Sequence, residues 1–204
     1  VWGRLLYDPA ADPEVWRRSL RRRFRERAPH VEAALGAATR ILPIITTAHL
    51  PSAANDTYMP EIYTNQPIAD AALPSPYGDT PSPKVFGYVS PLDPRMFAAI
   101  EEFAGEVAAG TRSGKYSPCE VARWLDALAG SAERHLAEAL KADAAPPDAE
   151  LRRVAVDVTI EAGLGRFFAA KLRSGALYSL HRRTGSVAAL EESLREYGRA
   201  RAVW

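Results

Sequence analysis

The sequence is poor in cysteine, in lysine and in net charge. Its 204 residues include one cysteine, so neither a disulfide framework nor a cysteine-based zinc site is expected. The 26 basic and 25 acidic residues leave a net charge of +1, which argues against nucleic-acid binding through bulk charge. No uninterrupted run of about 18 apolar residues occurs, so no membrane-spanning segment is expected.

Histidine and cysteine chemistry is equally sparse. No two of the four histidines have the spacing of metal ligands, so we expect neither a metal nor another cofactor. Cys119 falls in the first turn of a predicted helix, where the helix dipole could activate a thiol. A lone cysteine is more often a small buried apolar residue, and that interpretation is favoured here.

Two further motifs resemble binding sites without meeting their requirements. Between Gly110 and Gly114 lie three residues where a phosphate loop has four, and Tyr116 follows Lys115 where serine or threonine is needed. An arginine-rich stretch occupies the positions left over by an apolar stripe, so a solvated face is favoured over nucleic-acid binding. Its members are Arg17, Arg18, Arg21, Arg22, Arg23, Arg25 and Arg27.

Apolar residues recur with helical spacing along most of the chain, which predicts an all-α bundle of about six helices with one long Pro-rich ordered loop. Residues 50–92 form the loop, because nine of the 16 prolines fall between Pro51 and Pro94. Residues 84–89 are the only strand candidate. The predicted helix starts are Asp12-Pro13, Pro29, Asp93-Pro94, Ser117-Pro118, Pro146-Pro147-Asp148 and Gly185-Ser186.

Three details of the bundle are also predicted. The second helix should break or kink at Pro43. The fifth helix is apolar on most sides between 154 and 180, so it should be the central and most buried one. The last helix should bury one apolar stripe, which comprises Val187, Leu190, Leu194, Tyr197 and Trp204.

Residues 49–66 combine hydrogen-bonding side chains with tyrosines on a proline-stiffened backbone. Such loops on helical scaffolds often carry binding groups. Tyrosine rings stack on sugar faces while Asn, His and Glu bond to hydroxyls, so this composition suits a carbohydrate. The alternative is that the aromatic residues cover the bundle core and the polar groups cap turns. The candidate substrate-binding residues in this loop are His49, Asn55, Tyr58, Glu61 and Tyr63.

The chain begins with Gly3-Arg4-Leu5-Leu6-Tyr7-Asp8-Pro9, followed by Glu14-Val15-Trp16 and Phe24. This stretch resembles the segment that follows the catalytic (β/α)8 barrel of α-glucuronidase-type glycoside hydrolases. In that family a similar stretch leaves the barrel and enters a helical C-terminal domain. Later stretches are similar to large bacterial glycoside-hydrolase-like proteins. They are Thr46-Thr47-Ala48-His49-Leu50-Pro51-Ser52-Ala53, Tyr58-Met59-Pro60-Glu61-Ile62-Tyr63-Thr64-Asn65 and Ala170-Lys171-Leu172-Arg173.

This resemblance implies that the catalytic carboxylates belong to a barrel domain that residues 1–204 do not include. We therefore assign no catalytic residue and expect this chain alone to be inactive. Residues 1–204 are expected to be a single helical domain of a larger protein, with that barrel as partner. Trp2 would lie where the last barrel strand delivers the chain, facing the sugar site or packing at the domain interface. Residues 49–66 would then fold back toward the barrel mouth.

The leading hypothesis is therefore a non-catalytic accessory domain of a carbohydrate-active enzyme. The alternative is a helical protein-interaction or oligomerisation module whose Pro-rich loop docks a partner, with homo-oligomer contacts as a further expectation. A concave pocket lined by the loop residues would favour the first hypothesis, and a flat apolar patch the second. A free-standing enzyme is least favoured, because the sequence displays no acid pair, triad or metal cluster.

Overall fold

A computed structural model describes residues 7–49, 67–69, 85–143 and 146–204, and within them the chain is an all-α bundle, as predicted. Seven α-helices lie wholly inside these ranges. They are α1 (Glu14–Phe24), α2 (Ala28–Ala38), α3 (Ile41–Ala48), α4 (Ile100–Ala109), α5 (Pro118–Lys141), α6 (Ala149–Thr184) and α7 (Val187–Val203). Two 3-10 turns, Arg25–Arg27 and Phe86–Tyr88, accompany them.

Helix α6 is the central helix of the bundle, as predicted for the fifth helix. It runs for 36 residues, and every other helix except α1 packs against it. Its second half carries most of its buried side chains, including Phe168 and Leu172. Gly165 lets α3 approach closely, because a Cβ there would lie 3.1 Å from Ile41 Cδ1.

Three of the predicted helix starts are confirmed by side-chain caps. At α5, the backbone N–H of Glu120 donates to Ser117 Oγ (3.2 Å) and the N–H of Ser117 donates to a Glu120 carboxylate oxygen (2.8 Å), a complete capping box. The side chains of Asp148 and Ser186 cap α6 and α7. Gly185 ends α6 in the left-handed conformation with φ 73°.

The predicted break at Pro43 was wrong by three residues. The chain interrupts the helix at Thr39 and Arg40, between α2 and α3. Pro43 lies within the first turn of α3, where helical N–H groups lack an intrahelical partner and a proline is tolerated.

The predicted helix start at Asp93-Pro94 was also wrong, since α4 begins only at Ile100. Backbone hydrogen bonds explain the delay. The N–H of Tyr116 donates to the carbonyl of Met96 (2.9 Å), and the N–H of Ala98 donates to the carbonyl of Tyr116 (3.0 Å). These bonds commit residues 96–98 to an isolated bridge, and no strand occurs elsewhere in the described ranges.

The predicted buried face of α7 was wrong. The helix packs on α6 through small and polar residues, because their size lets the two backbones approach closely. Reciprocal bonds join Ser174 and Ser193, each hydroxyl donating to the other residue's carbonyl at 2.9 Å. The residues that α7 buries are Ala189, Ser193, Glu196 and Ala200. Those it exposes include Val187, Leu194, Tyr197 and Trp204.

One stretch, Glu14–Ala48, is long and apolar enough to cross a membrane when judged by length and composition alone. Core helices of globular domains meet the same criterion. Here the stretch is divided into three helices, and Val31, Ile41 and Ile45 are each at most 1% exposed within the bundle. The geometry therefore favours core packing for this stretch.

Candidate functional site

Of the six candidate substrate-binding residues, one lies among the described residues. His49 caps the C-terminal end of α3 and is the last described residue before residues 50–66, which we call the polar loop. Trp2 and the four remaining loop candidates, Asn55, Tyr58, Glu61 and Tyr63, lie outside the described residues. The site is therefore built from the described base of the loop.

His49 is buried at this base, with 2% of its surface exposed. Its backbone N–H donates to the carbonyl of Ile45 (2.9 Å), which continues the α3 pattern to the end of the helix. Its imidazole ring lies 3.9 Å from the Phe86 ring, centre to centre, and inclined by 43°. Burial, reinforced by the charge of Lys171, lowers the pKa of His49 to about 3, so the ring is neutral.

Phe86 is the centre of this base. It belongs to the 3-10 turn Phe86–Tyr88, within residues 84–89, which were the only strand candidate in the sequence. Its side chain has no exposed surface, and its N–H donates to the carbonyl of Pro67 (2.9 Å). Gly175 of α6 makes room for the ring, because a Cβ there would lie 3.3 Å from Phe86 Cδ1.

Lys171 of α6 also contacts the Phe86 ring at this base. It is 1% exposed, and Nζ lies 4.6 Å from the centre of the Phe86 ring and 5.5 Å from that of Phe167. A lysine ammonium over aromatic faces is stabilised by the ring quadrupoles. Burial lowers the pKa of Lys171 to about 7, which leaves the amine divided between both protonation states near neutral pH. We call His49, Phe86, Phe167 and Lys171 the loop-base cluster.

Sequence reasoning missed Lys171 and Phe86 as members of a site. A signal for Lys171 was present, because it interrupts a segment that was expected to be buried on most sides, and a lysine is seldom fully buried. Phe86 offered no comparable signal. Its stretch, residues 84–89, was only a candidate strand within the Pro-rich loop.

The loop-base cluster fixes both ends of residues 50–66 at one point on the bundle. His49 precedes that segment and Pro67 follows it, and both contact Phe86. A further bond, from the N–H of Leu92 to the carbonyl of Thr47 (2.9 Å), ties the returning chain to α3. The polar loop therefore begins and ends against a buried aromatic and basic base.

Polar contacts secure the turn Phe86–Tyr88 beside this base. Arg182 donates to the hydroxyl of Tyr88 (2.6 Å). Glu101 of α4 accepts from Ser179 Oγ (2.5 Å) and from Arg183 (2.8 Å), which links α4 to the end of α6. Side-chain hydrogen bonds from α4 and α6 thus hold this part of the bundle, including the turn, in place.

The base contains one hydrogen-bonding atom that the described residues leave unused. His49 Nε2 is buried and has no hydrogen-bond partner among them. The nitrogen of a neutral imidazole can donate or accept there. Among the described residues no group of three or more His, Cys, Asp or Glu side chains comes together to hold a metal ion.

Most of the arginine-rich stretch lies on the surface, as predicted for a solvated face. Three arginines of α1 form ion pairs there, whereas Arg27 is buried and donates to the carbonyl of Asp143 (3.0 Å). Lys115 is bound to Glu102 at 2.5 Å, and burial raises the pKa of the Cys119 thiol. The arginine pairs are Arg17–Glu32, Arg21–Glu14 and Arg23–Glu150.

Comparison with models of known protein families, with curated proteins and with solved structures gives no match.

Proposed function

We propose that this chain is a non-catalytic accessory helical domain of a carbohydrate-active enzyme, and that residues 50–66 contribute to the rim of its substrate site. The observation that carries this proposal is the fixing of both ends of that polar segment on Phe86. The resemblance of the chain to the helical region after a glycoside-hydrolase barrel supports it. His49 acts in this proposal as an anchor, and Asn55, Tyr58, Glu61 and Tyr63 as the candidate contacts to sugar.

The arrangement suits sugar binding for an energetic reason. Each sugar contact is weak, so a loop that must be ordered on binding loses much of the gain as conformational entropy. A segment whose two ends are both held on the bundle has fewer conformations to lose than one with a free end. The loop-base cluster therefore lowers the entropic cost of presenting tyrosine rings and polar groups.

Catalysis belongs, in this proposal, to a barrel domain of the same parent protein, with Trp2 at the junction between the two domains. The chain alone should then bind without turning over substrate. The coding sequence upstream of Val1 is expected to specify a (β/α)8 barrel, and a different upstream sequence would contradict this part of the proposal.

Binding of oligosaccharides tests the role of the loop. The 204-residue chain would be titrated with neutral and uronic-acid-bearing oligosaccharides by isothermal calorimetry and NMR. We expect weak binding to at least one of them, at least tenfold weaker in Tyr58→Ala, a loss of roughly 1.4 kcal/mol or more. Tyr197→Ala is the matched control, because Tyr197 is an exposed tyrosine on α7, outside the loop and its base.

Two outcomes would count against the proposal. Release of reducing sugar by the purified chain would show that it is itself an enzyme. Absence of binding to the whole panel, or equal binding by Tyr58→Ala and the wild type, would remove the loop from the substrate rim.

A second candidate function, a helical interaction or oligomerisation module, is favoured by a different observation. Val156 and Ile160 of α6 are each 57% exposed. Neighbouring apolar side chains exposed on one helix are often covered by another protein surface.

A further inference from the structure

Helix α7 covers only part of the outward side of α6. At the usual rise per residue, α6 is about 54 Å long and α7 about 26 Å. The two helices are joined at Ser174 and Ser193, and α7 ends beside Gly163, where a Cβ would lie 3.9 Å from the carbonyl oxygen of Val203. The Trp204 ring then lies 5.3 Å from that of Phe167. The outward side of α6 before Gly163 has no helix over it among the described residues.

This uncovered stretch is apolar at its centre. Val156 and Ile160 are one helical turn apart, and they continue the side of α6 on which Gly163 and Phe167 lie, since spacings of four, seven and eleven residues return to one face. The stretch from Ala149 to Gly163 is about 21 Å long. We call its exposed residues the bare face. They are Ala149, Arg152, Arg153, Val156, Asp157, Thr159 and Ile160.

The charges along the bare face have opposite signs at its two ends. Arg153, Asp157 and Glu161 follow one another at four-residue spacing, so they form one row along the helix. Arg153 donates to the carbonyl of Ala149 (3.3 Å), and no carboxylate pairs with it in the part of the chain that the structure describes.

Glu161 shows that the acidic end of this row lacks a partner. One of its carboxylate oxygens is buried and accepts no hydrogen bond from the described residues. Burial and the neighbouring Asp157 raise the pKa of Glu161, because both disfavour its charged form. A partly buried carboxylate without a donor costs free energy, and an arginine brought to its accessible side would recover part of it.

We propose that the bare face is a self-association surface, on which a second copy of this chain packs antiparallel across a two-fold axis. The apolar centre of one copy meets that of the other. Arg153 of each copy then lies beside Asp157 and Glu161 of the partner copy, so each ion pair forms twice. A parallel arrangement would oppose like charges, because the row is basic at its N-terminal end and acidic at its C-terminal end.

Self-complementarity is the reason to name a second copy as the occupant. A two-fold interface presents the same patch on both sides, so each charge must find its opposite within that patch. The bare face, with Glu161 at its edge, meets this condition with residues of a single helix. Trp204, 69% exposed at the edge of the patch, adds an aromatic surface of the kind that interfaces favour.

Sedimentation velocity of the 204-residue chain over a roughly hundredfold range of concentration tests the proposal. We expect a reversible monomer–dimer equilibrium. Val156→Asp should raise the dimer Kd roughly tenfold or more, because it places a carboxylate at the apolar centre. Val187→Asp is the matched control, since Val187 is 63% exposed on α7 at the other end of the bundle, and it should leave the Kd unchanged. Circular dichroism would verify that both variants fold.

Charge reversal tests the antiparallel arrangement. Arg153→Glu alone should weaken the dimer, most strongly at low salt. Combining it with Asp157→Arg and Glu161→Arg should restore the dimer, because the row is then reversed on both copies. A monomer at every concentration would overturn the proposal and leave the face to another domain or protein. A dimer indifferent to Val156→Asp would equally overturn it.

Discussion

The amine nitrogen of Lys171 lies 4.6 Å from the centre of the Phe86 ring, in the buried base from which the polar loop departs. The imidazole ring of His49, at the end of α3, contacts the same Phe86 ring. One aromatic side chain thus holds two basic groups, each with a pKa lowered by burial. The stability of this base can therefore be tested both by substitution and by pH.

Removal of the Phe86 ring is expected to be among the costliest single changes. Phe86→Ala should lower the free energy of unfolding by about 3 to 5 kcal/mol, because the ring is fully buried and nothing else fills its place. Urea unfolding followed by circular dichroism measures this. Tyr88→Ala, two residues along the same turn and 45% exposed, is the control and should cost about 1 kcal/mol or less. Equal losses in both variants would contradict the central role of Phe86.

Stability should rise with pH above neutrality because of Lys171. Its pKa is about 7 in the folded chain and 10.5 as the ordinary value. Between these values the unfolded chain retains a proton that the folded chain has released, so raising the pH favours folding. The gain is on the order of a few kcal/mol over this window. Below pH 7 both states are protonated and this contribution does not change.

The comparison of wild type with Lys171→Met isolates this effect. The variant should lack the rise between pH 7 and 10.5, whereas Lys141→Met should keep it, because Lys141 is an exposed lysine on α5. Urea midpoints at several pH values supply the curves. A parallel pH dependence in wild type and Lys171→Met would refute the assignment.

The fold could be predicted where the signal is local. Ser117 with Glu120, and Asp148 after two prolines, specify helix starts through their own side chains, and both predictions were confirmed. The buried face of α7 could not be predicted in this way. Hydrophobicity pointed to Leu194, but Ser193 lies inside because a small residue allows the close approach to Ser174.

The base of the site shows the same limit of sequence reasoning. His49 was named as a candidate because it begins a polar loop. Its neighbours Phe86 and Lys171 lie 37 and 122 residues further along the chain, and only the packing of α3 and of the turn Phe86–Tyr88 against α6 brings them together. A residue pattern within one segment carries no information about contacts between distant segments. The remaining loop candidates stay predictions.

Acid should destabilise the fold in part through His49. Its pKa is about 3 when folded and 6.5 as the ordinary value. As the pH falls through this window the unfolded chain takes up a proton that the folded chain refuses, so stability decreases. Salt-bridged carboxylates also contribute to acid destabilisation. Glu133 is an example, because its hydrogen bond with Arg166 lowers its pKa and is lost when acid protonates the carboxylate. The difference between wild type and His49→Leu, measured by urea unfolding from pH 7 to 3, separates the histidine contribution. A constant difference across that range would contradict it.

Two glycines of α6, two residues apart, should respond in opposite ways to alanine. At Gly163 a Cβ meets only the carbonyl oxygen of Val203 at 3.9 Å, an ordinary contact. Gly163→Ala should therefore stabilise by up to about 1 kcal/mol, because alanine favours the helix. At Gly165 a Cβ would lie 3.1 and 3.3 Å from two methyl carbons of Ile41. Overpacking of this kind costs about 1 to 3 kcal/mol, which offsets or exceeds the gain in helix propensity.

The matched pair makes this a test of packing rather than of propensity. Both substitutions change the same helix by the same methyl group, so helix propensity cancels in their difference. Gly165→Ala should unfold at a lower urea concentration than Gly163→Ala, and Gly165→Ala combined with Ile41→Val should recover part of the loss, because it removes the methyl carbon nearest the new Cβ. Equal stability of the two single variants would mean that α3 can move away from α6 at little cost, and the close approach at Gly165 would then not be required for the fold.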